Sequence, residues 1–354
     1  MLVGEEALDC FDHMQGDGIR PNAVTYISVL KAYATLRDLE KGKKIHDKVA
    51  KQGLLQDHIE LGTALLDMYA KCGDLPKAQS VLDSLPSRDV ISWNALIAGY
   101  AQEGQGEQAL ICFDRMQHEG IFPDTTTYAC ILKACASIGA ADKGKEIHDA
   151  IEKQGLLQSD IMVGNAVVDM YAKCGALSKA QEVLEKLPSR DVVTWNALIT
   201  GFAQEGQGEQ AVCCFEHMER EGIFPDAVTF LCMLNVCSHL GLVEEGYSTF
   251  LKMGTKYGVN PNPECFTCIV DLFGRAGHLE KAVQLIHEMP TFDCSANWIA
   301  LLGACRKWGD VEVGRLAFEQ AARESKFHGP ACVLMSDIYA AAGMQENAKI
   351  IKAN

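Results

Sequence analysis

Two short motifs in this sequence carry the residue types of a hydrolytic metal centre. Cys265-Phe266-Thr267-Cys268 is a CxxC and His217-Met218-Glu219 is an HxE. Together they are the halves of a site where zinc activates a water and a glutamate moves its proton. Their surroundings argue against that chemistry. His217 stands where Arg115 and His13 stand in other copies of an internal repeat, each followed by Met, as a variable helix-surface position would. Cys265 and Cys268 flank Thr267 inside one repeat, and no Pro precedes Cys265. Zinc ligands must converge, and these belong to different repeats. No catalytic residue, metal or cofactor is assigned.

The other cysteines follow the same logic. Of fifteen, Cys72 and Cys174, Cys130 and Cys232, Cys135 and Cys237, and Cys112 and Cys214 are paired by a spacing of 102 residues. Inherited copies of small buried positions are expected, with free Cys acting as a small hydrophobe in a reducing compartment. The net charge of −15 speaks against a general polyanion binder, because such binding comes from neutralising phosphates. It leaves room for a binder that reads bases and keeps a few cations in one groove. The acidic start, Met1 to Glu6, lacks the character of an organelle transit peptide, so either cytosolic residence or a missing true N-terminus is expected. No apolar stretch reaches the length of a membrane span.

What positions the polar residues is a repeat. Asp67-Met68-Tyr69-Ala70-Lys71-Cys72-Gly73 returns at 169–175, Trp93-Asn94-Ala95-Leu96-Ile97 at 195–199, and Glu119-Gly120-Ile121-Phe122-Pro123-Asp124 at 221–226. Each offset is 102, divided into units 23–58, 59–89 and 90–124 of 36, 31 and 35 residues. A second round covers 125–160, 161–191 and 192–226, and a diverged pair follows at 227–262 and 263–293. Residues 1–22 read as the second helix of a partial unit. Within 90–124, Trp93, Leu96, Ile97 and Tyr100 have helical spacing, Gly104 and Gly106 break it, and Ala109, Phe113 and Met116 begin a second stripe. Gly120 and Pro123 end that helix. A helical hairpin cannot bury its apolar face alone, so its neighbours must stack on it.

The Trp-Asn-Ala-Leu-Ile start, the Met-Tyr-Ala-Lys-Cys-Gly segment, the Gly-Ile-Phe-Pro-Asp end and the 36/31/35 cycle resemble the plant PLS-class pentatricopeptide repeat (PPR) proteins. The resemblance implies an all-α, right-handed superhelical solenoid of helix-turn-helix repeats. Residues 294–354, with Trp298 to Arg306 and Leu334 to Gly343, resemble the E-type extension that closes such arrays, here apparently truncated. In the family this extension marks organellar C-to-U RNA-editing factors, where it precedes or recruits a cytidine deaminase.

In the family the fifth and last residues of a unit read one base. Carried over, these are Thr63 with Asp89, Asn94 with Asp124, Asn165 with Asp191, Asn196 with Asp226, and Thr267 with Asp293. An ionised Asp only accepts hydrogen bonds, so it favours the ring N–H of uracil or guanine. The resemblance adds that Asn–Asp prefers U and Thr–Asp prefers G. The alternative is that these residues are only helix caps. Ile27/His58, Ala129/Asp160 and Leu231/Asn262 lack a polar fifth residue and are assigned no base. The apolar second residues Val24, Ile91, Met162, Val193 and Val228 are candidates to wedge between bases, with burial in the core as the alternative. In the family a basic residue at the position of Lys71, Lys173 and Arg275 meets phosphate; a solvated cation is the bland reading.

The expected function is therefore sequence-specific single-stranded RNA binding, as a non-catalytic specificity factor for organellar C-to-U editing. A cytidine deaminase recruited through 294–354 is the implied partner, and the mitochondrion or chloroplast the implied compartment, the mitochondrion first. The alternatives are RNA processing, splicing or stabilisation by the same surface, an intact deaminase, and a tetratricopeptide-type protein scaffold, which the net acidity favours.

Overall fold

Proline and glycine decide where most of the helices stop, and that punctuation sets the repeat. The computed structural model describes residues 2–55, 58–289, 295–324 and 329–353. Among the described residues there are 22 α-helices and no strand, which is the all-helical fold expected. None of these helices is long and apolar enough to cross a membrane. They divide into two compact units, 1–189 and 190–354.

The first unit holds α1 (Leu2–Gly16), α2 (Ala23–Leu36), α3 (Leu39–Lys51), α4 (Ile59–Lys71), α5 (Leu75–Ser84) and α6 (Val90–Gln102). It continues with α7 (Gly106–His118), α8 (Thr125–Ile138), α9 (Ala141–Lys153), the single turn α10 (Leu156–Ser159), α11 (Ile161–Lys173) and α12 (Leu177–Lys186). Here α2 packs on α4, α4 on α6, α6 on α8 and α8 on α11, so the first helix of each hairpin lies against the first helix of the next. Helices α3, α5, α7, α9 and α12 each pack on their own hairpin partner. Tyr26, Leu30, Leu65, Leu66, Trp93 and Leu96 are fully buried along this seam.

The second unit repeats the plan with α13 (Val192–Gln204), α14 (Gly208–Arg220), α15 (Ala227–Leu240), α16 (Val243–Thr255) and α17 (Pro263–Ala276). Then come α18 (Leu279–Glu288), α19 (Ser295–Trp308), α20 (Val311–Glu324), α21 (Gly329–Ala341) and α22 (Gln345–Ala353). The seam α13–α15–α17–α19–α21 is continuous, and Phe230, Leu234, Ile269, Leu272, Trp298 and Leu301 fill it.

The short units are short because their second helix meets a proline early. Helices α5 and α12 have 10 residues and stop at Leu85 and Leu187, whose ψ values of 137° and 136° are extended. Pro86 and Pro188 follow, and the ring of a proline excludes the helical conformation from the residue before it. Helices α7 and α14 have 13 residues and run on to Gly120 and Gly222, both with φ +76°. The left-handed turn there returns the backbone N–H groups to the last carbonyls.

Two sequence expectations need refining. Cys112, Cys135, Cys214 and Cys237 are buried, but Cys72, Cys130, Cys174 and Cys232 are only half-buried. Burial pushes the Cys112 and Cys135 thiols up to about 11 and Cys214 to about 12, so they sit as neutral packing groups. Gly104 and Gly106 also do different jobs. Gly104 makes the turn at φ +71°, whereas Gly106 begins α7 against α8. A Cβ on Gly106 would lie 2.7 Å from the Ala134 carbonyl oxygen and 2.6 Å from Ile138 Cγ2. Backbone cannot move aside as a side chain can. Gly106→Val should therefore cost about 1–3 kcal/mol, measured by urea denaturation, while Val at the open Gly254 position should leave the midpoint within about 0.5 kcal/mol after correction for helix propensity.

Candidate nucleic-acid interface

The last residue of a unit is the cap of the next unit's first helix. Asp89, Asp124, Asp191 and Asp226 are the N-caps of α6, α8, α13 and α15, and each closes a capping box with the residue three positions on: Ser92, Thr127, Thr194 and Thr229. Such a cap contributes about 1 kcal/mol to its helix. The capping alternative is thus physically present. It is not the whole use of these carboxylates.

Asn94 lies on α6 and is 8% exposed; its Nδ2 donates to Asp124 Oδ1 at 3.0 Å, and its Oδ1 accepts from the Thr127 hydroxyl at 2.6 Å. The same triad recurs in the second unit, with Asn196 Nδ2 to Asp226 Oδ1 at 2.9 Å and Thr229 Oγ1 to Asn196 Oδ1 at 2.6 Å. Burial works to raise the Asp124 and Asp226 carboxyls. Hydrogen bonds from the Thr127 and Thr229 backbone and from the Asn94 and Asn196 amides outweigh it and hold both below the ordinary carboxylate range. Both are ionised acceptors at neutral pH. The Asn amide and the Thr127 and Thr229 backbone donate to Oδ1. The Thr126 and Val228 N–H groups also reach the carboxylates, and with two lone pairs on each oxygen Oδ2 keeps acceptor capacity. Each Asn likewise keeps one N–H beyond the one given to Asp. The edge available to a ligand is one N–H donor beside one carboxylate acceptor, which complements a uracil carbonyl and ring N–H.

The threonines at the fifth position are poised with the opposite polarity. Thr63 donates to the Ile59 carbonyl at 3.1 Å. The Thr267 hydroxyl lies 3.0 Å from the Pro263 carbonyl and 2.7 Å from Asn297 Oδ1. A hydroxyl whose single proton points inward offers only lone pairs outward, the match for a guanine N–H. Asn165 is half-buried on α11, and Asp191, its sequence partner, caps the first helix of the second unit. Asp293 lies outside the described residues.

The apolar second residues are on the surface. Val24, Ile91, Met162, Val193 and Val228 are between 52% and 69% exposed, so the core alternative is wrong for all of them. Apolar side chains repeated at one register and left in water are available to a ligand with apolar faces. In the first unit Ile91 joins Ile27, Ile59, Thr63, Asp89 and Lys31 around a cleft of about 280 Å³, near the small end of ligand pockets. Sequence reasoning gave Ile27 no base and did not single out Ile59 or Lys31. Their signal was available only as apolar or basic positions on the face that carries Thr63.

The three candidate phosphate contacts are half-exposed but already engaged. Lys71 pairs with Asp67 at 2.8 Å, Lys173 with Asp169 at 2.8 Å, and Arg275 with Asp271 at 2.7 Å, each one helical turn apart. A phosphate must compete with a carboxylate for each of them. The CxxC likewise lacks thiolate character. Burial pushes Cys268 up to about 12, and its Sγ lies 3.0 Å from Asn235 Oδ1. His217, on α14, stacks edge-on against Trp195 in another part of the hairpin.

Comparison with known proteins agrees with this geometry. The sequence matches the PPR repeat family at residues 88–137 and 190–239, PPR repeats at 63–90, 165–192, 228–256 and 257–290, and the pentatricopeptide repeat domain at 9–55. It is 40% identical over 356 residues to the pentatricopeptide repeat-containing protein CRR2, chloroplastic, of Arabidopsis thaliana, covering 99% of this chain and 54% of that one. It is 36% identical over 372 residues to the Arabidopsis thaliana pentatricopeptide repeat-containing protein At3g02330, mitochondrial, covering 99% and 41%. The chain spans about half the length of the curated relatives it matches. Among solved structures, the maize pentatricopeptide repeat protein PPR10 in complex with an 18-nt psaJ RNA element aligns with a TM-score of 0.70 at 18% identity, over 98% of this chain and 57% of that one. That similarity establishes the stacked-hairpin fold.

The ion pairs give a direct test of the cations. Asp67→Asn and Asp169→Asn, which release Lys71 and Lys173, should each tighten single-stranded RNA binding irrespective of sequence. Each should steepen the dependence of log affinity on log salt by up to about 0.7. Lys71→Ala and Lys173→Ala should do the reverse. Titrations at several salt concentrations measure both, and unchanged slopes would place these cations away from phosphate.

Proposed function

This chain belongs to the pentatricopeptide repeat family of plant proteins, and we propose that it binds single-stranded RNA one base per unit, as the specificity factor of an organellar C-to-U editing system. The observation that carries the reading is the repeated edge of one amide N–H and one ionised carboxylate, at Asn94–Asp124 and Asn196–Asp226, flanked by exposed apolar residues. Uracil supplies the complementary carbonyl and N–H, and its faces suit the apolar neighbours, because stacking contributes about 1–3 kcal/mol per base in single-strand binders. Base pairs are not needed, since a free strand leaves its Watson–Crick edges open. The PPR10 structure with its RNA element supports the class of ligand. The chloroplastic and mitochondrial relatives support an organellar setting.

The editing role rests on the resemblance of 294–354 to an E-type extension. That segment contributes α19 to α22, and α19 stacks on α17 as a further hairpin would. In this proposal it recruits a deaminase acting in trans, and the chain itself does no chemistry. The array reads the strand parallel to the RNA 5′→3′ direction. Units 23–293 then prefer n-G-U-n-U-U-n-G.

Selection from random single-stranded RNA should return that core, and a pool without uridine enrichment opposite 90–124, 161–191 and 192–226 would contradict it. Asn196→Thr should move the preference at its own position from U toward G by about 1–3 kcal/mol, measured with RNAs differing only at that base. Equal losses on both RNAs would reduce Asn196 to a structural residue. In organelles lacking the protein, one cytidine downstream of the core should stay unedited; normal editing there, with an altered transcript abundance or intron content, would favour processing over editing.

A further inference from the structure

We propose that the third residue of the following unit, Thr127 for Asn94 and Thr229 for Asn196, is a specificity-positioning residue. It holds the reader amide so that an N–H, and never the carbonyl, faces the base. The inference rests on Asn94 and Asn196 being readers, and to the Asp carboxylate's preference for the uracil ring N–H it adds a second discrimination against cytosine, set by a side chain that touches neither base.

The argument is one of proton counting. Asp226 Oδ1 is a carboxylate oxygen and can only accept, so the nitrogen end of the Asn196 amide, 2.9 Å away, must face it. The carbonyl end then faces Thr229, whose hydroxyl lies 2.6 Å from Asn196 Oδ1 and 3.0 Å from Asp226 Oδ1. Thr229 Oγ1 already accepts from the Asp226 N–H at 3.1 Å. Its single proton is free for the shorter contact, to the amide carbonyl. Both ends of the amide are thereby pinned from within, and one N–H is left over. The first unit has the same arrangement, with Thr127 Oγ1 at 2.6 Å from Asn94 Oδ1 and Asp124 at 3.0 Å from the Asn94 nitrogen.

Thr127 and Thr229 are fully buried, so neither can meet a base itself. The contact also has a relative at Thr267, whose hydroxyl is held by Asn297, a 2% exposed residue one position before Trp298, as Thr127 precedes Tyr128 and Thr229 precedes Phe230. By contrast Ser92, at the same register after Thr63, has its hydroxyl 2.9 Å from the Asp89 carbonyl oxygen. At Asn94 and Asn196 the hydroxyl meets an amide, whose two chemically different ends must be told apart.

Cytosine differs from uracil on this edge by presenting an amino group where uracil presents a carbonyl. A pinned N–H accepts uracil and repels that amino group. Removing the hydroxyl leaves the Asn carbonyl unpaired and the amide held by its Asp contact alone. The rotated amide, which can accept from cytosine, then costs less to reach, and the discrimination falls without vanishing.

The test uses the full chain and synthetic RNAs carrying n-G-U-n-U-U-n-G, with U or C at the sixth position, opposite 192–226. Thr229→Val should cut the U-over-C ratio there roughly tenfold, and Thr229→Ser should restore it. The ratio at the third position, opposite 90–124, should stay unchanged and should fall only with Thr127→Val. A site-by-site change of this kind does not follow from lost stability, which weakens all RNAs together. Thr127→Val provides an independent trial should thermal melting show Thr229→Val to be unfolded. Asn196→Ala separates the two claims. If it keeps the wild-type ratio, Asn196 is no reader and the function proposed above fails. If it lowers the ratio while Thr229→Val and Thr127→Val preserve theirs, or lose affinity equally for both RNAs, the positioning role alone is overturned.

Discussion

The structure depends on a carboxylate placed between two helices that belong to different repeats. Asp124 accepts from the backbone of α8, which it begins, and from Asn94 on α6; Asp226 does the same for α15 and α13. A helix start carries unpaired N–H groups and a partial positive charge, so an acid there is favourable before any ligand is considered. The same acid then reaches back and fixes the polar residue of the preceding hairpin. Repeat-to-repeat packing is mainly apolar and tolerates small slides. These bonds do not, and they set the register in which each amide meets its neighbour.

Acidity is the second theme, and the local arrangement reconciles it with a polyanionic ligand. The chain carries −15 overall, yet Lys71, Lys173 and Arg275 each sit beside an aspartate one turn earlier. Exposed pairs of this kind contribute little to stability. Their effect is to mute the attraction between the surface and any phosphate chain. In the proposed reading, what remains for discrimination is base-edge hydrogen bonding and the exposed side chains of Val24, Ile91, Met162, Val193 and Val228. A surface whose cations are paired with carboxylates would bind the wrong sequence poorly, which raises the ratio between right and wrong without strengthening the right one.

Much of this was legible in the sequence because the information was periodic. The apolar spacing in 90–124 gives two helices, and Leu85-Pro86 gives the early stop of α5. The exposure of Ile91 was not legible, since an apolar residue one place after a cap fits either face of a short amphipathic turn. The Lys71–Asp67 pair was visible as a four-residue spacing, but its consequence for phosphate binding needs the distance. The Asn94–Asp124–Thr127 triad was least accessible, because its members are 30 and 33 residues apart in sequence. Only the stacking of whole hairpins brings them together. Ile27 shows the converse error: reading the fifth position by polarity alone hid its place in the cleft wall.

The double duty of the terminal residue limits how such a protein can change its mind. On the proposed one-base-per-unit reading, a new preference at one base needs a new side chain at the unit's end, and that side chain must still start a helix. Asp, Asn, Ser and Thr do this well; Lys, Leu or Gln do not. Asn22 and Asn262, which cap α2 and α17 here, show the permitted kind of exchange. If the proposed reading holds, the vocabulary of the array is largely confined by folding to a handful of short polar side chains, His58, which starts α4 without a side-chain cap bond, being the exception.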